Sequence, residues 1–451
     1  MKKFTVLALA LLLVVAFTVP ASALENTFGG YWRTRFFTQK DFSGNDSTKD
    51  LSRTDTRTRL YYTAKLNDNL KFVNKFEMDA VWGDTSTAAT NYGDAGADGI
   101  AVEVKHSYAD FNVGSVNFKV GVQDFYLGRG FITDDDASGI KAIWKVNDGL
   151  YLPFIYLKNA EGGQGTAKNQ EDVESYVFSP VIMLSKDIKI NPYYAFLHSQ
   201  DARSMPVNNA GLAGAFDNVN VNVVGLDFDA KMGAASLWFT GIYEFGTLTL
   251  ENALAATLPA GTELDLKAWL LAAGGKFDLG KADIHGQAFY ATGEDKESVP
   301  GLLDKEINGY FVTRSTTYYW SEILGCGIFD NQTPLVNGPY NPTGLGGGQN
   351  SSGGPVVTDL MAINLGTTFK PMDKLSITAD LWWAKLAEDN DQGEDSLGIE
   401  ADLKVTYQLV EGLTIDVVGA YLWAGDAITS NASSKNEYNP YEFGTRLSLS
   451  F

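Results

Sequence analysis

From residue 24 onward, apolar and polar side chains alternate along the chain in segments of about ten to fourteen residues. The segment 396–407 shows the pattern, because every second residue is apolar: Leu397, Ile399, Ala401, Leu403, Val405 and Tyr407. Successive side chains of a β-strand point to opposite faces of the sheet. The period of two therefore predicts strands with one apolar and one polar face, whereas a helix would scatter these residues around its surface.

Turn residues separate the segments, and short and long separators alternate. Short turns such as Asn147-Asp148-Gly149 and Val410-Glu411-Gly412 are followed, one strand later, by longer Gly/Asn/Asp/Ser-rich stretches such as 160–170 and 425–437. Bacterial outer-membrane barrels have short periplasmic turns, longer external loops and an even number of strands. The rhythm predicts an all-β fold, a transmembrane antiparallel β-barrel.

We predict about eighteen strands, or sixteen if two weak segments are loops, in one barrel domain over residues 24–451. The strands are expected near residues 26–38, 51–66, 70–83, 99–112, 115–126, 138–147, 149–159, 172–184, 187–199, 217–230, 233–245, 263–278, 281–293, 355–370, 374–386, 396–409, 412–424 and 438–451.

One interruption, residues 294–354, is far longer than the other loops. Loops of this length are usually functional. We therefore predict that it folds partly into the lumen and narrows the pore. Its aromatic residues are expected to pack against the wall; they are Phe311, Tyr318, Tyr319, Trp320 and Phe329.

The first 23 residues differ in character from the rest. Lys2 and Lys3 precede an apolar run over residues 4–18, and Ala21-Ser22-Ala23 follows as a small-residue cleavage site. These are the parts of a secretory signal peptide, and the apolar run is too short for a membrane anchor. The sequence predicts export through the inner membrane, cleavage after residue 23, and location in the cell outer membrane.

Charge and composition narrow the function classes. The chain has 35 Lys and Arg against 55 Asp and Glu, and cleavage would leave 33 − 55 = −22. This acidic balance argues against nucleic-acid binding. It fits external loops that meet lipopolysaccharide through divalent cations, so lipid and lipopolysaccharide are the expected partners. A single cysteine, Cys326, allows no intrachain disulfide.

Alternation also assigns charged side chains to the lumen. Because the first and last strands of a closed barrel are neighbours, six arginines should share one wall as a pore-lining basic cluster: Arg33, Arg35, Arg53, Arg57, Arg59 and Arg446. The inward acids should line the opposite wall: Glu244, Glu263, Asp265, Asp283, Asp380, Glu400, Asp402 and Asp416. Opposed walls would orient polar solutes in a transverse field. The alternative is that these charges only pair with one another and hydrate the lumen.

The sequence gives little support for an enzymatic function. The motifs G-x-S-x-G, H-E-x-x-H and C-x-x-C do not occur in the sequence, and these carry common nucleophile, metal and thiol chemistry. His285 in the lumen is interpreted as a hydrogen-bonded wall residue. The acidic runs Asp134-Asp135-Asp136 and Glu388-Asp389-Asn390-Asp391 are interpreted as solvated loops. We expect no enzyme activity, no cofactor and no bound metal.

The chain ends on an amphipathic segment. Tyr441, Phe443, Leu447, Leu449 and Phe451 share one face. A last strand that ends in phenylalanine resembles the signal read by the barrel-assembly machinery, so this machinery is an expected partner and Phe451 the expected assembly signal.

The stretch 53–161 resembles the outer-membrane homotrimeric porins of sulfate-reducing and related Gram-negative bacteria. The resemblance rests on the order and spacing of four short motifs: Arg57-Thr58-Arg59-Leu60, Ser107-Tyr108-Ala109-Asp110-Phe111, Val120-Gly121-Val122-Gln123 and Asp134-Asp135-Asp136-Ala137-Ser138-Gly139-Ile140. It implies a homotrimer with one pore in each barrel and no cofactor. The same motifs are similar to those of alginate-export-like barrels.

Two functions remain after these observations. The first is a porin for passive diffusion of small hydrophilic solutes and ions, with a preference for anionic solutes because of the arginine cluster. The alternative is an alginate-type polysaccharide export channel, which would need a basic track along the whole lumen. Solute identity and pore size stay open.

Overall fold

The structure is a computed structural model that describes residues 24–42, 50–84, 93, 102–161, 172–200, 216–251, 259–293, 305–310, 318–330, 357–390, 392–429 and 437–451. Within these ranges, eighteen antiparallel strands form one closed barrel. The predicted fold class and strand number are therefore confirmed, and sixteen strands is wrong. The predicted signal peptide, residues 1–23, lies outside the described residues.

The strands are β1 Glu25–Lys40, β2 Leu51–Asn67, β3 Leu70–Val81, β4 Glu103–Val113, β5 Val116–Leu127, β6 Thr133–Asn147, β7 Leu150–Ala160, β8 Val173–Phe178 with Val181–Ser185, β9 Ile188–Ser199, β10 Phe216–Met232, β11 Ala235–Leu250, β12 Glu263–Asp278, β13 Ala282–Ala291, β14 Leu360–Met372, β15 Leu375–Leu386, β16 Ser396–Val410, β17 Leu413–Ala424 and β18 Tyr441–Ser450.

Strand β8 is one barrel strand in two parts. Both parts pair with β7 and with β9, and Ser179-Pro180 interrupts them. Proline lacks the N–H that a strand ladder needs, which explains the break. From β9, the Asn191 side chain donates hydrogen bonds to Ser179 Oγ (2.9 Å) and to the Pro180 carbonyl (2.7 Å).

Three short elements accompany the described strands. A two-residue strand, Glu306–Ile307, pairs in parallel with the start of β12. A 3₁₀ turn covers Gly128–Gly130, and a one-turn helix covers Asp426–Thr429. In the described ranges, no helix has the length and apolarity needed to span a membrane.

The outer face of the barrel is apolar. Large side chains stand exposed on it around the wall, including Phe28, Leu237, Phe277, Leu365 and Leu403. Soluble monomers rarely expose such a continuous apolar surface. A closed barrel with an outward apolar band is instead the form that a bilayer requires, because every strand edge is paired.

The inner face changes character along the strands. Near the long-loop ends of β8–β17, inward side chains are apolar and form a buried core that includes Val221, Leu248, Leu264, Leu360, Trp382 and Leu422. Closer to the short turns, inward positions are polar. The apolar half is buried because segments outside the barrel strands pack against it, among them residues 128–131, 307–310 and 320–324.

The period of two places Leu397 on the wrong face. Leu397 is fully buried in this core, whereas alternation places it on the outer face. A bulge causes the change, since the pairing of β15 with β16 shifts register beside Gly398, whose φ is 110°. A Cβ at Gly398 would lie 2.0 Å from the Trp423 carbonyl oxygen, so this bulge requires glycine.

Phe451 closes the barrel as well as ending the chain. Its N–H donates to the Gly30 carbonyl (3.2 Å), and its carbonyl accepts from the Gly30 N–H (2.8 Å). Its ring is 63% exposed on the outside of the wall. Replacing Phe451 with Asp should impair insertion, because a charge would enter the apolar band at the closing seam. Heat-modifiable migration on gels measures the folded fraction.

The matched control is Ser450→Ala, the preceding residue, which should insert as the wild type does. If Phe451→Asp inserts equally well, the interpretation of the C-terminus as an assembly signal is wrong.

Candidate functional site

A short inward turn, residues 127–132, enters the lumen between β5 and β6. Gly128, Arg129 and Gly130 all have positive φ (60°, 55° and 88°), a conformation that glycine favours and that turns the chain sharply. The turn inserts Phe131, which is fully buried and stacks on Tyr318 with ring centroids 3.9 Å apart.

Arg129 of the inward turn reaches across to β10 and β11. It donates to Asp229 (2.9 Å) and to Thr240 Oγ1 (3.2 Å), and its guanidinium lies 4.7 Å from the ring centroid of Trp238. A cation between a carboxylate and an indole face is well stabilised. The turn is therefore fixed to β10 and β11 and occupies part of the lumen.

A second segment, residues 318–330, lies inside the lumen, and we call it the inner bridge. At one end, the Tyr318 hydroxyl donates to Gln287 on β13 (2.6 Å). At the other end, Arg35 on β1 donates to the Ile328 carbonyl (2.8 Å) and to Asp330 Oδ2 (2.7 Å). Between these ends the bridge also contacts β16, so it lies inside the lumen along the side of the wall that runs from β13 to β1.

Glu400 on β16 holds the middle of the inner bridge. Its carboxylate is fully buried and accepts hydrogen bonds from the Ser321 hydroxyl (3.0 Å) and from the N–H groups of Ile323 (2.6 Å) and Leu324 (2.9 Å). The Glu322 N–H donates to Asp402, two residues further along the strand (3.3 Å). Hydrogen bonds to a carboxylate are among the strong ones.

Arg35 is built into the wall as firmly as into the bridge. It forms a bidentate pair with Asp55 on β2 (2.8 and 2.7 Å) and is 3% exposed. Beside it, Phe37 stacks on Phe329 of the bridge with centroids 5.0 Å apart. The aromatic packing predicted for the long loop thus occurs at Tyr318, Trp320 and Phe329. The prediction is wrong for Tyr319, which is 49% exposed, and Phe311 lies outside the described residues.

The structure brings five of the six predicted arginines together. In the ladders, Arg33 lies opposite Arg57, and Arg35 lies opposite Arg446. Arg53 faces inward on β2 opposite Phe37, nearer the long-loop end. The cluster spans β18, β1 and β2, as the closure of the barrel requires.

Each of the five clustered arginines lies beside a carboxylate. Besides the Arg35–Asp55 pair, Arg57 binds Asp79 (2.7 Å), Arg59 binds Glu77, and Arg446 binds Asp416 (2.9 Å). Arg33 is the least compensated: it lies 3.6 Å from Asp330, and its buried Nε has no hydrogen-bond partner among the described residues. These pairs match the alternative in which lumenal charges compensate one another.

Six of the eight predicted acids face the lumen: Glu244, Asp283, Asp380, Glu400, Asp402 and Asp416. They do not form a separate opposite wall, because Asp416 pairs with Arg446 and lies on the neighbouring strand. Acidic and basic groups therefore adjoin on this side of the barrel.

The prediction is wrong for Glu263 and Asp265. Both lie on the outer face of β12, on the same side as the exposed Trp269 and Leu271, while Leu264 and Leu266 point inward. The apolar band ends below the long-loop rim, so polar side chains face outward there. The inward positions are apolar because they pack against the loops in the lumen.

Between the inner bridge and the wall lies an open cavity of about 730 Å³. Arg33, Arg57, Arg59 and Arg446 line one side, and Lys276, His285, Gln287, Asn364 and Asp380 line the other. The bridge contributes Tyr319, Trp320, Ser321, Glu322, Ile328 and Asp330. The cavity therefore offers donors and acceptors of both charge signs to a polar solute.

His285 sits between two carboxylates. Its Nδ1 lies 2.7 Å from Asp283, and its Nε2 lies 3.0 Å from Asp380. Two acceptors at the two ring nitrogens favour the imidazolium form, which donates from both. This arrangement fits the predicted wall residue. Among the described residues, no group of three or more His, Cys, Asp or Glu is placed to bind a metal ion.

Several residues of the site were missed by sequence analysis. Arg129 had a local signal, since Gly-Arg-Gly between two strands indicates a turn. Asp330 and Gln287 had none, because their partners are remote in the chain. The Gln39 side chain also donates to the Asp330 carbonyl (2.9 Å) and was not considered.

No family model matches the chain, and no curated protein matches it. Solved structures with a similar fold include OccAB1 of Acinetobacter baumannii, at 10% identity and TM-score 0.55, covering 96% of this chain and 99% of that one. OccAB3 of the same organism is 8% identical with a TM-score of 0.55, and the match covers 95% of this chain and 100% of that one. OpdQ of Pseudomonas aeruginosa is 11% identical with a TM-score of 0.54, and the match covers 94% of this chain and 98% of that one. At these identities the similarity shows the fold alone, and the resemblance to sulfate-reducer porins stays a prediction.

Replacing residues 318–330 with a Gly-Ser linker of equal length should raise single-channel conductance, because the bridge side chains would no longer occupy part of the lumen. The barrel should still fold, since the strand ladders do not include these residues. Planar-bilayer recording measures the conductance, and heat-modifiable migration checks folding. Unchanged conductance in a folded variant would place the narrowest point elsewhere.

Proposed function

We propose that the chain is an outer-membrane porin through which small hydrophilic solutes and ions diffuse passively. The observation that carries the proposal is the polar cavity of about 730 Å³ inside a closed barrel, bounded by the inner bridge. Water-filled lumens of this kind are narrowed by loops that fold inward. The structures with a similar fold are outer-membrane porins of the Occ and Opd groups, which supports the proposal.

The polysaccharide exporter is not favoured. A charged polymer would need a wide lumen with a continuous basic track. Here the inner bridge occupies part of the lumen, and the long-loop half of β8–β17 is packed with apolar side chains. These features suit short solutes that pass one at a time.

A preference for anionic solutes remains a proposal, and the pairing of the arginines limits its size. Arg57, Arg59 and Arg446 still expose about a quarter of their side chains, at 25%, 27% and 24%. A planar guanidinium at the cavity wall can share its donors with a solute carboxylate or phosphate. Arg33 adds a buried charge with an unused donor. We propose that these groups bias, but do not enforce, anion passage.

Assembly and location form the rest of the proposal. We infer export by the signal peptide, insertion by the barrel-assembly machinery through the C-terminal strand, and contact with lipopolysaccharide through the acidic loops. A homotrimer is proposed from the family resemblance alone. Crosslinking in native membranes, read as the mass of the crosslinked species, tests the trimer.

Replacing Arg33, Arg57 and Arg59 together with Gln should shift the reversal potential in a salt gradient toward cations. The change removes three positive charges from the cavity wall and keeps most of the side-chain size. Arg35 is left intact because it holds the inner bridge. Bilayer recording measures the potential, with conductance as the check on pore width.

A control triple variant, Lys65→Gln, Lys145→Gln and Lys231→Gln, loses the same charge outside the cavity. It should move the reversal potential much less, because salt screens charges beyond about 8 Å. Equal shifts in both variants, or none in either, would show that the arginines have only a structural role.

A further inference from the structure

We propose that Glu400 is the positioning residue that fixes the inner bridge against the inside of the wall and so sets the size of solute that passes. The inference rests on the proposed porin function and adds a residue that controls it. Glu400 does not line the cavity, so it acts through the bridge and not by contact with a solute.

The first argument is the burial of a carboxylate. Glu400 is fully buried, and three donors of the bridge bind it. A buried carboxylate without donors is strongly unfavourable. Wall and bridge are therefore mutually dependent: the bridge satisfies Glu400, and Glu400 fixes the backbone of residues 321–324.

The second argument is the share of the attachment that Glu400 provides. Residues 321–324 donate three hydrogen bonds to Glu400 and one to Asp402. Hydrogen bonds to a carboxylate are about twice as strong as those between neutral groups. Loss of the Glu400 contacts should therefore weaken the attachment of residues 321–324 to β16.

The third argument is the geometry of the attachment. Arg35 holds the bridge at residues 328 and 330, and Tyr318 holds the opposite end. Glu400 binds the part between them, which borders the cavity at Ser321 and Glu322. If the Glu400 contacts are lost, this middle part can move while both ends stay attached, and the cavity widens.

The chain carries its own reporter of this movement. Cys326 is the single cysteine of the sequence. It lies in the bridge between the part bound by Glu400, residues 321–324, and the part bound by Arg35, residues 328–330. It is 2% exposed when the bridge is seated. A thiol reagent therefore labels the wild-type barrel slowly, and displacement of the bridge would expose Cys326 without any engineered residue.

The test is Glu400→Gln in the full-length barrel. Glutamine keeps the size but replaces one of the two carboxylate oxygens with an amide NH₂. Because the N–H groups of Ile323 and Leu324 bind different oxygens of Glu400, at least one of them would then face a donor in place of its acceptor. We expect Cys326 to label about tenfold faster, the factor that corresponds to losing one charge-assisted hydrogen bond. Single-channel conductance and the largest sugar that passes in liposome swelling should both increase, with unchanged heat-modifiable migration.

Asp110→Asn is the matched control. Asp110 is an inward, buried carboxylate on β4 that binds Lys71 and Asn117 and does not contact the bridge. Its replacement should leave labelling and conductance at wild-type values. If Glu400→Gln does not fold, Ser321→Ala removes one donor to Glu400 from the bridge side, where the strand ladders are untouched, and should give a smaller change in the same direction.

Wild-type labelling and conductance in a folded Glu400→Gln, or in Ser321→Ala when the first variant does not fold, would overturn the inference. The porin function would survive that result, because it depends only on conduction by the wild type. If the wild type does not conduct, the porin proposal fails and the inference fails with it.

Discussion

Closure of the sheet is the constraint on which the rest of the molecule depends. In a bilayer every backbone N–H and C=O must find a partner within the protein, so an open strand edge is not tolerated. The pairing of β1 with β18, from Tyr31–Ser450 to Lys40–Tyr441, removes the last edge. Closure also creates an inside and an outside, which gives the alternation of side chains its meaning.

Closure also brings charged side chains of both signs close together inside the lumen. Charges on neighbouring strands lie close together, and the arginines of β1, β2 and β18 face carboxylates within one or two strands. Mutual compensation stabilises the wall, and it also reduces the field that a solute experiences.

The free space inside the barrel is reduced by chain segments that are not part of the wall. The inward turn and the inner bridge meet at Phe131 and Tyr318, and both pack on the apolar long-loop half of the lumen. The bridge is then held by polar clamps at Arg35 and Glu400. Apolar packing provides most of the burial, while the clamps fix the position of the backbone that borders the cavity.

The sequence alone determined the strands and most of their faces, because the period of two and the turn residues are local properties. Strand β12 begins and ends where predicted, at Glu263 and Asp278, and Arg33, Arg57 and Arg446 face inward as their parity requires. The tertiary structure decided the features that depend on contacts between residues far apart in the sequence. The bulge at Gly398 places Leu397 on the inner face. Glu263 faces outward above the apolar band, because the inner face of β12 packs against the loops in the lumen. Arg35 binds Asp330, which is 295 residues away in the sequence. Such contacts depend on the position of a loop in the folded protein, and the pattern of neighbouring residues in the sequence does not determine that position.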